Sequence, residues 1–369
     1  MIPRNLDERY MRQALRLARR GIGRTSPNPM VGAVLVKHGR VIGTGYHQRA
    51  GRPHAEANAL RAAGSRARGA TLYVTLEPCQ HTGRTPPCCE AILAAGIRRV
   101  VVASKDPNPI TRGRGLAYLR RAGIALTIGL LAEDARRLNA PFEKAMTEGL
   151  PLVIAKIGQS LDGKIATTAG ESQWITSAAS RRLGHRLRGE VDAVLLGITT
   201  VLRDNPRLTA RGVRRRAGRP VRVIVDSCLR IPLNARCVQQ LTIQPTIVAT
   251  TVRSNAKRLA LRQRGVDVIA FPGSSRVPLR RLFQQLAQRG VQSLLIEGGG
   301  EVLASALAER VVDRVLICVA PLIIGGREAI GAVGGRGIRR LSEAIHLDQM
   351  AVRRVGPDLC VEGRLVYPR

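Results

Sequence analysis

Along residues 6–20 the apolar positions Leu6, Tyr10, Ala14, Leu15, Leu17 and Ala18 recur at the spacing of one helix face. The turn Ser26-Pro27-Asn28-Pro29 ends that pattern. Two apolar runs follow, 31–36 and 41–43, separated by Lys37-His38-Gly39-Arg40, which predicts a β-hairpin. The pattern then predicts a helix at 54–63, a strand at 70–76, a helix at 87–95 and a strand at 99–103. A helix at 114–122 and a strand at 124–129 complete the series. Strands alternating with helices after an opening hairpin imply a three-layer αβα domain with a mixed sheet.

From Ala132 to Met146 the periodicity reads as one further helix, and Gly149-Leu150-Pro151 breaks it. A fresh strand begins at Leu152, which places a domain boundary at 149 and divides the chain into 1–149 and 150–369. A length of 369 residues is too great for one ordinary core. The second half alternates again, with strands near 191–196, 221–225, 246–250, 266–269, 292–296 and 313–319 and helices between most of them. It reads as a second α/β domain, with no repeat linking the two halves.

Composition refines this picture in three ways. Hydrophobic residues make up 44% of the chain, so packed cores are expected, filled by Val, Leu, Ile and Ala because aromatic side chains are scarce. The formal charge is +34, which raises nucleic acid as a partner. Residues 1–149 hold 25 Lys and Arg against 10 Asp and Glu, and residues 150–369 hold 35 against 16. An excess spread this evenly, with one dense run from Arg211 to Arg219, reads as a diffusely basic enzyme surface, and few rings are available to stack bases. Seven cysteines at irregular spacing argue against a disulfide framework. The N-terminus has no apolar signal core and no run of 18 apolar residues occurs, so the chain is expected to be cytoplasmic and reduced, without a membrane partner.

The candidate chemistry lies at element boundaries. His54-Ala55-Glu56 opens a helix behind Pro53, a position from which both side chains can approach an ion off the helix end. Cys79 follows the strand that Leu76 closes, and Cys88 opens the next helix, where the peptide dipoles favour a thiolate. One imidazole and two thiolates leave a fourth tetrahedral position open, the mark of a catalytic zinc site. Glu56 is then the proton carrier between the attacking water and the departing amine of a deamination. Cys89 is an alternative ligand by proximity. Eight residues separate Cys79 from Cys88, unlike the two of the commoner deaminase pattern.

Several runs resemble the bifunctional deaminase–reductase family of riboflavin biosynthesis. In the first half they are Pro27-Asn28-Pro29-Met30-Val31-Gly32, Gly45-Tyr46-His47-Gln48, Pro53-His54-Ala55-Glu56, the stretch from Leu76 through Cys79 and Arg84 to Cys88, and Asp106-Pro107-Asn108-Pro109. In the second they are Ser160-Leu161-Asp162-Gly163-Lys164, the stretch from Gly170 to Thr176, Asp204-Asn205-Pro206, Val225-Asp226-Ser227 and Glu297-Gly298-Gly299-Gly300. The long intercysteine loop fits that family too.

The resemblance implies a cytidine-deaminase-like domain followed by a dihydrofolate-reductase-like α/β domain. It implies two reactions: zinc-dependent hydrolysis of the 2-amino group of 2,5-diamino-6-(5-phosphoribosylamino)pyrimidin-4-one, then reduction of the ribosyl chain to ribityl by NADPH. His54, Cys79 and Cys88 become zinc ligands and Glu56 the proton shuttle, with Asn28, His47, Arg84 and Asn108 as substrate contacts. Arg84 reads equally as an ordinary loop arginine. For the reductase, Gly158, Trp174, Thr200, Asp204, Ser227 and the run Gly299, Gly300, Glu301, Val302 and Leu303 are implied to contact NADPH. Ser172, Arg188, Leu208, Arg211 and Glu297 are implied to contact the substrate. Physical chemistry agrees where a glycine run follows a strand and opens a helix, since its N–H groups can approach a phosphate. An arginine fork likewise suits the substrate's phosphate monoester. Asp204 reads equally as a turn former before Pro206, Trp174 as a packing residue, and Lys156 and Lys164 as solvated lysines. Gln159 departs from the small residue usual before Ser160, which puts the Gly158 assignment in question. Relatives suggest a homo-oligomer. The alternatives are a zinc-dependent RNA base deaminase with an accessory domain, and a binding protein with structural zinc.

Overall fold

The structure is a computed structural model that describes residues 4–80, 87–212 and 219–368. The chain divides into two compact units, Met1–Gly149 and Leu150–Arg369.

In the first unit the elements run α1 (Arg4–Ala18), β1 (Gly32–Lys37), β2 (Arg40–Tyr46), α2 (Ala55–Ala63), β3 (Thr71–Leu76), α3 (Cys88–Ala94), β4 (Arg99–Ser104), α4 (Arg114–Arg121), β5 (Ala125–Ile128), α5 (Ala132–Leu138) and α6 (Ala140–Glu148). The sheet order is β2-β1-β3-β4-β5, with β1 antiparallel to β2 and β3 and the remaining pairs parallel. The hairpin turns at His38 and Gly39, both at positive φ, as the twist of two antiparallel strands requires.

Because successive strand residues face opposite sides of a sheet, β1, β3 and β4 each feed two cores. Ala33, Leu35, Leu72, Val74, Val100 and Val102 pack against α2, α3 and α4. Val34, Val36, Tyr73, Val101 and Ala103 pack against α1 and α5. That alternation makes the three layers. Asp7 of α1 locks the second interface: it accepts from Tyr73 Oη at 2.5 Å and from both terminal nitrogens of Arg99 at 3.1 and 2.7 Å.

The single helix expected over 132–146 is two helices that part at Asn139. The buried Asn139 amide clamps the Met30 backbone, with Oδ1 accepting from Met30 N at 2.8 Å and Nδ2 donating to Met30 O at 2.9 Å. Pro141, which has no N–H to continue a ladder, sits in the first turn of α6.

The second unit contains β6 (Leu152–Gln159), α7 (Ala178–Arg188), β7 (Ala193–Gly197), α8 (Ile198–Asp204), β8 (Val221–Val225), α9 (Arg236–Gln239), β9 (Thr246–Thr250), α10 (Ala256–Gln263), β10 (Asp267–Ala270), α11 (Leu279–Gln288), β11 (Ser293–Ile296), α12 (Gly300–Ala308), β12 (Arg314–Val319), β13 (His346–Val355) and β14 (Asp358–Val366). Nine strands form one sheet in the order β10-β9-β8-β7-β11-β6-β12-β14-β13. It is parallel from β10 to β12 and ends in the antiparallel β14 and β13. The residues of β7, β8 and β9 alternate between a core with α11 and α12 and a core with α8, α9 and α10. The hydrophobic pattern did not signal the final hairpin, because β13 is exposed at nearly every position and so carries no period of two.

Candidate functional site

In the first unit, strand ends and helix starts deliver the metal-type donors to one point. His54 is the N-cap residue of α2, Cys79 lies three residues beyond β3, and Cys88 is the first residue of α3. Their Nδ1 and two Sγ atoms all lie within 4.8 Å of one another. His54 Nδ1 is 3.2 Å from Cys88 Sγ and 3.6 Å from Cys79 Sγ. Cys89 points its thiol elsewhere, to the carbonyls of Pro78 at 3.4 Å and Gly115 at 3.7 Å.

The electrostatics suit a cation. The side-chain hydrogen bond with Cys88 holds the Cys79 thiol down to about 4 against the opposing effect of burial, with further help from His54. Cys88 is correspondingly pushed up by Cys79 and by burial. The hydrogen bond to Cys79 raises His54. Glu56 is buried, and burial raises its carboxyl to about 7 despite the neighbouring His54. Its Oε2 has no hydrogen-bond partner among the described residues. A carboxylate oxygen buried without a partner beside one imidazole and two sulfurs fits a site whose remaining occupants are a zinc ion and a reacting molecule.

His47 and Asn28 extend this cluster. The His47 ring stands edge-on to that of His54, with centroids 5.4 Å apart. His47 Nδ1 lies 3.2 Å from the Pro53 carbonyl, which can only accept, so Nδ1 carries the proton. Burial lowers the His47 pKa, consistent with a neutral ring. Nε2 then accepts from Asn28 Nδ2 at 3.2 Å, leaving Asn28 Oδ1 as the acceptor for a ligand. Asn108 is occupied locally, its Oδ1 accepting from Ile110 N at 3.1 Å. Arg84 lies outside the described residues.

Sequence reasoning passed over Glu77. Buried beneath the cysteine turn, it accepts from the backbone N–H groups of Asp106 (3.2 Å), Gly113 (3.0 Å) and Leu116 (3.2 Å). One carboxylate thus fixes the end of β3, and with it Cys79, to the β4–α4 loop and to α4. A glutamate breaking an otherwise apolar strand end was the available signal. Gly115 serves the same contact from the other side: a Cβ there would come within 2.0 Å of the Pro78 carbonyl oxygen. Gly115→Ala is expected to lower the stability of this unit by about 1–3 kcal/mol and to weaken metal retention. Thermal denaturation and metal transfer to a chromogenic chelator measure the two effects.

In the second unit, a cavity of about 1420 Å³ opens at the carboxyl ends of the parallel strands. Gly158, Trp174, Thr200, Asp204, Ser227 and residues 299–303 line it, as do Ser172, Arg188, Leu208, Arg211 and Glu297. Every residue that the resemblance implied to contact NADPH or the reductase substrate therefore lines one cavity. Gln159 is not in the lining although Gly158 is, so it does not crowd the cavity. Trp174 is 67% exposed, with Arg181 stacked over its ring at 4.5 Å, which rules out a core packing role. Lys156 lines the cavity, whereas Lys164 donates to the Ala329 carbonyl at 3.1 Å.

Glu297, its side chain 5% exposed, accepts from Arg188 Nε at 2.6 Å, and Arg188 Nη1 reaches the Thr209 carbonyl at 3.3 Å. These two bonds fix the guanidinium plane. Gly299 caps α12 at φ 86°, a conformation that favours glycine, and a Cβ on Gly300 would stand 3.2 Å from Gly334 N. The bare backbone at a helix start beside the Thr200 hydroxyl fits the phosphates of a dinucleotide. Arg181, Arg207, Arg230 and Arg276 add positive charge around the same cavity, so part of the arginine excess is local.

Comparison with known proteins assigns both halves. The family model for the cytidine and deoxycytidylate deaminase zinc-binding region matches residues 4–104, and that for the RibD C-terminal domain matches residues 151–361. Riboflavin biosynthesis protein RibD of Aquifex aeolicus (strain VF5) is 45% identical over 358 residues, 97% of this chain and 98% of that protein. RibD of Escherichia coli (strain K12) is 42% identical, covering 96% and 98%. Among solved structures, Acinetobacter baumannii RibD, form 1, superposes with a TM-score of 0.90 at 37% identity, covering 98% of this chain and 99% of that one. The Thermotoga maritima diaminohydroxyphosphoribosylaminopyrimidine deaminase/5-amino-6-(5-phosphoribosylamino)uracil reductase gives 0.88 at 34%, with the same coverage.

Proposed function

Because this chain belongs to the RibD family of bifunctional deaminase–reductases in riboflavin biosynthesis, we propose a residue-level division of labour. Residues 1–149 are the zinc-dependent deaminase domain and 150–369 the NADPH-dependent reductase domain.

In the deaminase, His54, Cys79 and Cys88 hold the zinc, which when bound supplies the Lewis acidity that makes water a competent nucleophile at neutral pH. Glu56 accepts a proton from the attacking water and delivers it to the 2-amino nitrogen as the carbon–nitrogen bond breaks, so ammonia leaves neutral. Asn28, oriented by the neutral His47, accepts from a ring N–H. The family resemblance adds Arg84 and Asn108 as further substrate contacts, Asn108 through the part of its amide that Ile110 N does not occupy. The observation that carries this reading is the buried Glu56 carboxylate, its Oε2 without a hydrogen-bond partner, next to the three-donor cluster.

In the reductase, NADPH supplies the hydride when bound. The Gly299–Gly300 backbone and residues 301–303 receive its phosphates, while Gly158, Trp174, Thr200, Asp204 and Ser227 line its course. Arg188, held by Glu297, and Arg211 pair with the substrate phosphate, with Ser172 and Leu208 beside them. Arg188→Ala is expected to raise KM for the ribosyl substrate by about 10–100-fold, the worth of a charge-assisted bond. KM for NADPH should change far less, and steady-state kinetics separates the two.

The partners are small phosphoribosylaminopyrimidines rather than nucleic acid, and the chain acts in the cytoplasm as a homo-oligomer. Among the described residues no helix is long and apolar enough to cross a membrane. The deciding experiment supplies the diaminopyrimidine nucleotide with and without NADPH and identifies the products by mass. Without NADPH the deaminated ribosyl compound should accumulate, and with it the ribityl product. Ammonia release from a structured RNA alone would overturn the assignment.

A further inference from the structure

Outside the metal cluster, two of the seven cysteines stand face to face. Cys318 on β12 is the direct register partner of Cys360 on the antiparallel β14. Directly opposed residues of an antiparallel pair have Cα atoms about 4.5–5.5 Å apart, inside the span of about 4.4–6.8 Å that a disulfide bridges. The side chains converge as well, with the Sγ atoms 2.9 Å apart and both residues fully buried. Heavy atoms that merely touch rest about 3.5–4.0 Å apart, and bonded sulfurs about 2.05 Å. The strand register therefore already holds this pair closer than contact.

Their surroundings leave the thiols to each other. Leu183 and Leu316 share the cluster, with Leu187 and Val355 packed against it, and Ser180 Oγ lies 3.9 Å from Cys360 Sγ. Only β13 lies beyond β14 at this end of the sheet, so local opening of this terminal hairpin is the shortest route for a small molecule to the pair. On its other side β12 pairs with β6, where Cys318 is the register partner of Gly158 in the cavity wall.

We propose that Cys318 and Cys360 form a reversible disulfide with a peroxide as oxidant, a modification site that ties the C-terminal hairpin covalently to β12 of the reductase sheet. One thiolate attacks a peroxide oxygen, the O–O bond breaks, and that cysteine becomes a sulfenic acid as water departs. The second thiol then attacks the sulfenic sulfur, the S–S bond forms and a second water leaves. Two thiols lose two electrons and two protons, and one hydrogen peroxide becomes two waters. Burial pushes the Cys360 thiol up to about 12, so the reaction is slower than at the exposed Cys228. The bond joins residues 42 apart and encloses the segment that carries Ile330 to Gly334 of the cavity wall.

The zinc-loaded full-length protein is treated with hydrogen peroxide or kept in dithiothreitol, alkylated under denaturing conditions, digested and mapped by mass. The expected result is one cross-linked peptide pair joining Cys318 to Cys360, and an unfolding midpoint several degrees higher that dithiothreitol reverses. C318A should lose both responses. Recovery of Cys318 and Cys360 as separate alkylated or sulfinic peptides from the oxidised wild-type protein would overturn the proposal, as would their pairing with other cysteines.

Discussion

Glu56→Gln is expected to lower ammonia release from the diaminopyrimidine nucleotide by a factor of about 10²–10⁴, the usual worth of a positioned general acid–base group. The amide keeps the volume of the buried side chain and still cannot carry a proton from water to the leaving amine. His54, Cys79 and Cys88 are untouched by the change, so stoichiometric zinc should remain. NADPH-dependent reduction of the deaminated substrate serves as the internal control. Ammonia assays, elemental analysis and NADPH consumption on one preparation check the three statements. A variant that deaminates at the wild-type rate would remove Glu56 from the chemistry, and one that loses its metal would make it a structural residue.

Glu77→Ala should damage the same site without touching the reacting atoms. Removing the carboxylate strands the N–H groups of Asp106, Gly113 and Leu116 in a buried setting. Each unsatisfied buried donor costs about 1–3 kcal/mol, and partial hydration of the loop offsets some of the sum, so a loss of about 3–5 kcal/mol is expected. Because Glu77 anchors the turn that carries Cys79, zinc affinity should fall on the order of 10–100-fold, as for other residues that orient ligands from behind. Glu77→Gln, which retains one acceptor oxygen, should lie between. Denaturant unfolding gives the first quantity and chelator competition the second. Wild-type zinc affinity in the alanine variant would show that the turn holds itself in place.

Both halves' strand and helix order was legible, because the central strands are buried on both faces and read as short apolar runs, whereas the helices bury one face and show a helical period. The metal donors were legible because they sit at boundaries that the same periods mark: a helix entrance for His54, a strand exit for Cys79, a helix entrance for Cys88. The break at Asn139 was not, since an amide clamping Met30 across the fold leaves no trace in local spacing. Nor was β13, whose exposed face satisfies no hydrophobic period.

The sequence alone determined which residue types are present, which local elements they enter and, through shared motifs, which chemistry they resemble. Only the tertiary structure showed where the Cys89 thiol goes instead of joining the cluster. Cys88 and Cys89 are chain neighbours, but successive residues of a helix point about 100° apart, so one thiol meets His54 while the other meets two backbone carbonyls. It also decided that Glu56 is buried with an unpaired oxygen, that Glu77 underpins the cysteine turn, and that Cys318 faces Cys360. Each of these depends on strand order, register or enclosure, which are set by contacts between residues remote in the chain.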